Sequence, residues 1–531
     1  MKKLGFITLL IIMLFSVVAC RQKPEYQVTL DQGEAIMLND NYRVYYEIFV
    51  GAFSDASGNG MGDIQGIINR LDYLNDGDLN SGKSLGVTGL WLMPIMPSPS
   101  YHKYDTTNYK AIDPQYGTID DFKQLVDEAQ ARGIDIIIDL VVNHTSSYHP
   151  WFRAAKEAYR NEDWDNPYLE YYTLVTHEQK INGRIYYPFA GDLYYEGNFW
   201  SEMPELNLDS ALVRQELVDI IEFWLNIGVK GFRLDAVKYI YLDETARNVE
   251  FWQWFMETVR NVKEDAYVVG EMWAGDAAIL PYYAAFNNFD FGMSQSSGAI
   301  AATANGIEPI NSYVHYLAGY KAAVKEINPD AILQPFISNH DMNRAAGYLS
   351  LENHRMHMAA TLYLWTYGTP FIYYGEEIGM RGSRGSENTD ANRRLAMLWG
   401  DGDSVRDPIG STYARDNQIN GTVNDQISDP QALLTHYKKI IMLRYANPEI
   451  ARGEYTPLQF DNHFSFGGFL STYENSTVGV FHNTSDAPIT IDLSQTTEHT
   501  FTHIRGYAGL GIAKLEGQTL TLEGLTSVIL K

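Results

Sequence analysis

Carboxylates at the ends of apolar, strand-like runs are the residues of this sequence best suited to chemistry. Asp235, Glu271 and Asp341 each lie at or just beyond the end of such a run, and His144 follows another. Two carboxyl groups in different environments can hold different protonation states, so that one serves as nucleophile and the other as acid or base. Each residue alone is explained as readily by helix capping or a structural hydrogen bond. The pattern therefore matters only if the strand ends meet.

A parallel barrel would bring these strand ends together. From Tyr42 onward, short β-rich runs alternate with longer stretches of helical period, a pattern typical of βα units. Eight runs are candidate strands: Val44–Val50, Gly89–Met93, Ile134–Leu140, Gly231–Leu234, Tyr267–Gly270, Phe289–Gly292, Ile332–Ile337 and Phe371–Tyr374. We predict a closed (β/α)8 barrel, in which reactive groups collect at the C-terminal ends of the strands.

Two further segments interrupt or follow the barrel, which is assigned to residues 40–142 and 206–452. The third and fourth strands are too far apart for a single crossover helix, so residues 143–205 are predicted to form an inserted subdomain. Residues 453–531 change to period-two runs separated by turn residues, which predicts a C-terminal antiparallel β-domain built as a β-sandwich.

The N-terminus has the pattern of an export signal. Residues 1–20 contain Met1-Lys2-Lys3, a mostly apolar run and then Cys20, the chain's single cysteine, in a context that resembles a bacterial lipobox. We expect lipidation at Cys20, a tether over 21–39, and an exported protein anchored at the outer membrane, cell surface or periplasmic face. An ordinary signal peptide cut nearby is the alternative.

Net charge and aromatic content indicate which classes of molecule this protein can bind. The net charge is −26, which disfavours binding to nucleic acids and to anionic membrane surfaces, so membrane attachment would come only through the anchor. Aromatic residues make up 13% of the chain, and their flat faces suit contact with sugars as well as core packing. The oligomeric state is not indicated by the sequence.

Between residues 42 and 450 the sequence closely resembles the α-amylase family of glycoside hydrolases. By this resemblance Asp235 matches the nucleophile, Glu271 the general acid/base, and Asp341 a third carboxylate that binds sugar hydroxyls. A retaining glycosidase needs its two carboxyl groups about 5 to 5.5 Å apart, which neighbouring strands can supply. Arg233, on the same strand face as Asp235, is expected to hold it ionised.

Other positions match the family's sugar-binding shell. The resemblance assigns substrate contacts to the following residues: His102, Tyr104, His144, Arg233, Lys238 and His340. Among them Tyr104 corresponds to the aromatic platform beneath the sugar that is cleaved. Tyr239 departs from the histidine often found beside the lysine, which leaves the leaving-group subsites undetermined.

A glycine-rich loop is a candidate calcium site. Oxygen donors alternate with glycines over Asp55-Ala56-Ser57-Gly58-Asn59-Gly60-Met61-Gly62-Asp63, and calcium prefers oxygen ligands. Family relatives often bind calcium here. The expected ligands are Asp55, Ser57, Asn59, Met61 through its carbonyl, and Asp63, with a structural Ca2+. A plain glycine-rich turn is the alternative.

The expected activity is that of a retaining, endo-type α-1,4-glucan hydrolase that degrades starch or malto-oligosaccharides through a covalent glycosyl-enzyme. Ala236 is small, and in the family small residues beside the nucleophile accompany α-1,4 cleavage. Met203-Pro204-Glu205-Leu206-Asn207 does not separate endo from exo action. An exo-acting α-glucosidase, an oligo-1,6-glucosidase, a glucanotransferase and a non-catalytic surface glucan-binding lipoprotein remain alternatives.

Overall fold

The computed structural model describes residues 33–242, 244–352 and 354–531. The predicted signal peptide, Cys20 and most of the predicted tether lie outside these residues, and they stay predictions. Within the described ranges, no helix is both long enough and apolar enough to cross a bilayer.

Seven of the first ten strands form the predicted barrel. In chain order the strands are β1 (Tyr45–Ile48), β2 (Gly89–Leu92), β3 (Asp135–Leu140), β4 (Leu174–Val175), β5 (Tyr186–Ala190), β6 (Leu193–Glu196), β7 (Gly231–Leu234), β8 (Tyr267–Gly270), β9 (Asn287–Asn288) and β10 (Phe371–Tyr373). Seven of them pair in parallel in the order β10-β1-β2-β3-β7-β8-β9. Bridges from Phe289 to Gln334 and from Phe336 to Phe371 close the ring. The (β/α)8 barrel predicted from the sequence is therefore confirmed.

Two predicted strands differ from the observed ones. The sixth, predicted at Phe289–Gly292, ends at Asn288, because a 3-10 turn over Phe291–Met293 curls the chain away from the ladder. The seventh, predicted at Ile332–Ile337, makes only the single bridges at Gln334 and Phe336. Apolar content alone does not reveal where a backbone leaves its ladder.

Helices surround the barrel, and one further helix lies in the inserted subdomain. They are α1 (Ile64–Asn69), α2 (Leu71–Leu74), α3 (Ile119–Ala131), α4 (Pro150–Arg160), α5 (Ala211–Ile227), α6 (Thr245–Val262), α7 (Asp276–Ile279), α8 (Ala299–Ala304), α9 (Ile310–Ile327), α10 (Arg355–Leu364), α11 (Val423–Gln426), α12 (Leu433–Ala446) and α13 (Glu449–Arg452). Local chemistry sets their ends. A capping box between Thr118 and Asp121 begins α3, and Gly228, with φ 115°, ends α5 in the left-handed conformation.

Large rings fill the barrel interior below the strand ends. Tyr45 stacks on Phe371 and on Tyr267 with ring centroids 4.9 and 5.1 Å apart, and Trp91 packs against Phe289 at 5.4 Å. These side chains are almost fully buried. The barrel is thus a packed core that supports whatever lies on top of it.

The inserted subdomain leaves and rejoins the barrel above β3. It contains α4 and the antiparallel sheet β4-β6-β5, and a bridge between His144 and Glu205 joins its two ends. Phe152 packs on Tyr172 and Tyr195 in its small core. The bridge between His144 and Glu205 holds the subdomain against the end of β3, beside the carboxylates.

The C-terminal residues form the predicted antiparallel β-domain. Its strands are β11 (Glu454–Leu458), β12 (Phe466–Tyr473), β13 (Ser476–Asn483), β14 (Ile489–Asp492), β15 (Ile504–Gly509), β16 (Ala513–Glu516), β17 (Thr519–Leu522) and β18 (Thr526–Leu530). They form the sheets β11-β12-β13-β18-β15 and β14-β17-β16, around a hydrophobic core of their own. The domain packs on α9, where a side chain at Gly467 would collide with Ile310.

Candidate active site

Asp235 and Glu271 lie side by side at the top of two paired strands. Strands β7 and β8 are parallel, and Leu234 is in register with Gly270. Asp235 and Glu271 are the next residues of the two strands, and neighbouring strands lie about 4.8 Å apart. The register therefore holds the two carboxyl groups at one level on one edge of the barrel, close to each other.

Arg233 binds both carboxylates from below. Its Nη1 lies 2.8 Å from Asp235 Oδ1 and its Nη2 3.1 Å from Glu271 Oε2, while Nη1 also donates to Asp139 at 2.9 Å. The guanidinium is fully buried and its carbon lies 5.0 Å above the centre of the Trp91 ring. A single cation, itself held by Asp139 and Trp91, thus orients the pair.

The environment of Glu271 favours the protonated form. Burial raises the pKa of Glu271 to about 7, with the charges of Asp235 and Asp341 adding to the effect and Arg233 opposing it. The Ala236 N–H donates to Glu271 Oε2 at 3.1 Å, which limits the rise. A carboxyl group with this pKa can give up a proton near neutral pH, as a general acid must.

Ala236 adopts an uncommon backbone conformation. Its φ is 51°, in the left-handed region that residues other than glycine rarely occupy. This turn directs the Ala236 N–H at Glu271. The conformation costs free energy of the order of 1 kcal/mol or more, and such local strain is found disproportionately at functional sites.

Asp341 has two cationic partners. His340 Nε2 lies 3.0 Å from its Oδ2, and Arg394 Nη2 lies 2.6 Å from its Oδ1. Burial alone would raise the pKa of Asp341, but the charges of His340 and Arg394 outweigh it and hold that pKa well below the usual range. Asp341 is therefore an ionised hydrogen-bond acceptor at working pH.

A cavity of about 530 Å3 opens above the three carboxylates. Its walls include Tyr101, His102, Tyr104, His144, Phe199, Trp200, Met203, Asp235, Ala236, Lys238, Tyr239, Glu271, Trp273, Asp341, Asp390 and Arg394. Exposed rings at Phe199, Trp200 and Trp273 lie at its rim. The cavity combines flat apolar faces with acidic groups, the combination that suits a sugar.

Comparison with known protein families matches residues 47–453 to the alpha-amylase catalytic domain. The chain belongs to the alpha-amylase family. It is therefore a glycoside hydrolase by family, as the sequence predicts. Alpha-amylase 3 of Dictyoglomus thermophilum is 35% identical over 92% of this chain and 93% of that relative. Eubacterium rectale Amy13B has a solved structure with a TM-score of 0.86, 35% identity, and coverage of 94% of this chain and 97% of that one.

Relatives within the alpha-amylase family carry different activities in their names. A 4-alpha-glucanotransferase of Thermotoga maritima is 27% identical over 84% of this chain and 97% of that relative. Family membership therefore does not specify which glycosidic bond is cleaved, or whether water or another sugar accepts the glycosyl group.

The residues predicted to bind substrate are divided between the cavity wall and the layer beneath it. His102, Tyr104, His144 and Lys238 line the cavity. His144 Nε2 lies 3.2 Å from the Tyr104 carbonyl oxygen, which can only accept, so Nε2 carries a proton. Lys238 Nζ donates to the Trp273 carbonyl oxygen at 2.7 Å. Burial, with a further contribution from Arg394, lowers the pKa of His102 to about 4, so this ring is neutral.

Arg233 and His340, also predicted to contact substrate, lie beneath the cavity. Both are fully buried, and neither is among the described residues that line the cavity. Their polar atoms face carboxylates, because a buried cation is stable only when it is paired.

Several residues of the site were not predicted from the sequence. Arg394, Asp390 and Trp273 line the cavity, yet Arg394 and Asp390 lie on a long loop where no strand pattern marks them. Trp273, two residues after Glu271, could have been found from its position beyond β8. Asp139 and Glu47 were also detectable, since each is a carboxylate inside an otherwise apolar strand.

The predicted calcium ligands lie in one loop, and most of their oxygens accept hydrogen bonds from neighbouring groups. Asp55 accepts from the backbone of Gly58 and Gly60 and from Ser404, at 2.6 to 2.7 Å. Asp63 caps α1 by accepting from Gly66. Burial opposes ionisation of Asp55, but these hydrogen bonds, led by that of Ser404, lower its pKa to about 2.

The donor set of this loop suits calcium chemically, since Asp55, Ser57, Asn59 and Asp63 offer side-chain oxygens and Met61 its carbonyl oxygen. The described part of the chain holds no cluster of three or more His, Cys, Asp or Glu placed to hold a metal. The hydrogen bonds already order the loop, so an ion would have to compete with them. The calcium site stays a prediction.

Proposed function

We propose that this alpha-amylase family enzyme is a retaining, endo-type α-1,4-glucan hydrolase that acts on starch and malto-oligosaccharides. The observation that carries the proposal is the pairing of Asp235 and Glu271 on adjacent registered strands, both bound to Arg233. A short separation leaves no room for a water between the carboxylate and the sugar, which favours a covalent intermediate.

In this mechanism Asp235 attacks the anomeric carbon while Glu271 transfers its proton to the departing glycosidic oxygen. The bond to the leaving chain breaks and a glycosyl ester of Asp235 forms. Glu271, now ionised, takes a proton from water, and the water oxygen displaces Asp235 from the sugar. Asp341 accepts hydrogen bonds from sugar hydroxyls, and Tyr104 lies beneath the ring.

Exposed rings at the rim support action inside a chain. Phe199, Trp200 and Trp273 are 43%, 48% and 37% exposed, so each can stack on a sugar unit outside the reacting one. The relative from Dictyoglomus is named an alpha-amylase. A glucanotransferase is the second candidate, because the same rings could hold an acceptor sugar in place of water and a relative bears that name.

A product profile tests the proposal. Purified enzyme is incubated with amylose or pullulan, and products are resolved over time, with Asp235→Asn as the inactive control. Endo hydrolysis releases oligosaccharides of mixed length early, with rapid loss of iodine staining. Glucose as the sole early product would indicate exo action, and products longer than the substrate would indicate transfer.

Two further proposals follow from the sequence. A structural calcium ion in the loop from Asp55 to Asp63 would be held by oxygen ligands and would stabilise the fold. Lipidation of Cys20 would hold the enzyme on a bacterial membrane; metabolic labelling with a fatty acid, lost in Cys20→Ala, tests it.

A further inference from the structure

Glu47 is a carboxylate inside the wall of the barrel. It belongs to β1, in register with Trp91 of β2 and Tyr373 of β10, and it is 1% exposed. It is not among the described residues that line the cavity. Burying a carboxylate in an apolar strand costs several kcal/mol unless a cation pairs with it, so its partner is informative.

That partner is His340. Glu47 Oε1 lies 2.5 Å from His340 Nδ1, and on the opposite side of the ring Nε2 lies 3.0 Å from Asp341 Oδ2 and 2.7 Å from the Tyr104 hydroxyl. The ring is fixed in position by Tyr104, stacked on it at 5.7 Å, and by the edge contact with Trp91 at 5.6 Å. Both ring nitrogens therefore face carboxylates.

A carboxylate on each side requires an N–H on each nitrogen, which only the imidazolium ion has. We propose that Glu47 is a positioning residue for the reaction: it holds His340 in the doubly protonated form, so that Nε2 always presents its proton to Asp341. Asp341 then keeps the charge and orientation with which it accepts sugar hydroxyls. The inference rests on the proposed function only in this last step.

The surroundings of His340 agree with this. The charged and titratable groups around it are Glu47, Asp341, Tyr104, Arg394 and Asp139. Burial disfavours the cation, but Asp341 and Glu47 raise the pKa of His340 to about 10. Without Glu47 one of the two carboxylates is lost. Because this contact is short and buried, we expect the upper end of the effect, a fall of about 3 in the pKa of His340, which brings it into the assay range.

The test is Glu47→Gln, a substitution of nearly equal size that cannot ionise. In the wild type one group, Glu271, should govern the alkaline fall of kcat/KM. In the variant His340 also titrates, so the fall should steepen toward a second-order slope, and kcat/KM near pH 8 should drop about tenfold more than near pH 5.5. Glu47→Asp should restore part of the profile.

Glu376→Gln is the matched control. Glu376 is equally buried, at 3% exposure, but it binds Tyr363 and Tyr437 and not His340. It should change stability without steepening the profile. The same steepening in this control would assign the effect to packing and overturn the proposal.

Nitrogen NMR of histidine-labelled full-length enzyme reads the charge of His340 without substrate, with His340→Gln used for assignment. The wild-type ring should be doubly protonated at pH 8 and the Glu47→Gln ring neutral. A neutral ring in the wild type, or an unchanged cation in the variant, refutes the inference, whatever the substrate proves to be. If the Gln variant fails to fold, a neutral wild-type ring would still refute the inference, and Glu47→Asp supplies the comparison.

Discussion

Replacing Glu271 by Gln should make the fold more stable in alkaline solution while it abolishes hydrolysis. Glu271 is 9% exposed and its pKa is raised to about 7, whereas the pKa of a glutamate in the unfolded chain is about 4.3. In acid, both states hold the proton and the group contributes nothing. As the pH rises, Glu271 ionises first in the unfolded state, and this lowers the free energy of unfolding. Above about pH 7 the folded protein carries the full cost, about 4 kcal/mol.

Gln has nearly the size of the protonated Glu271 side chain. Because it does not ionise, it carries no such cost at high pH. The free energy of unfolding of Glu271→Gln minus that of the wild type should therefore grow by about 3 kcal/mol between about pH 5 and about pH 8.5. Urea or thermal unfolding at both pH values measures it, and a melting temperature that rises relative to the wild type is the simplest readout. Glu264→Gln, an exposed carboxylate before β8, is the control and should show no such trend. A difference that does not change with pH would refute the assignment of a buried, protonated Glu271.

Asp235→Asn should remove nearly all turnover and leave the melting temperature near that of the wild type, and proton NMR of the wild-type reaction should show the α anomer first. Retention of a tenth of the activity, or early β anomer, would contradict the nucleophile assignment. Chelation should lower the melting temperature by a few degrees and added calcium should restore it; an unchanged melting curve in excess chelator would identify the loop from Asp55 to Asp63 as a plain turn. Ala236→Val should lower the ratio of α-1,4 to α-1,6 cleavage about tenfold, since a methylene-scale change in a pocket is worth about 1 to 3 kcal/mol. Both substrates are measured on the same protein, so the strain of a branched residue at φ 51° cancels from the ratio, and an unchanged ratio would exclude a role for Ala236 in linkage choice.

The barrel was predictable because its strands are buried on both faces and read as apolar runs of the right length. Strands β7 and β8 were predicted with the observed bounds, and the carboxylates that follow them were visible as polar residues at apolar strand ends. The sixth and seventh strands were less predictable, because a turn at Phe291–Met293 and single bridges at Gln334 and Phe336 depend on pairing between distant segments.

By itself the sequence determined the alternation of strands and helices, the C-terminal β-domain, and the identity of the three carboxylates. These follow from local patterns, namely apolar periodicity and polar residues at fixed positions. Only the tertiary structure decided that Arg233 and His340 lie beneath the cavity instead of in its wall, and that Glu47 and Arg394 belong to the site. The physical reason is that pairing of buried charges acts between side chains distant in sequence, and their distances are set only when the barrel closes.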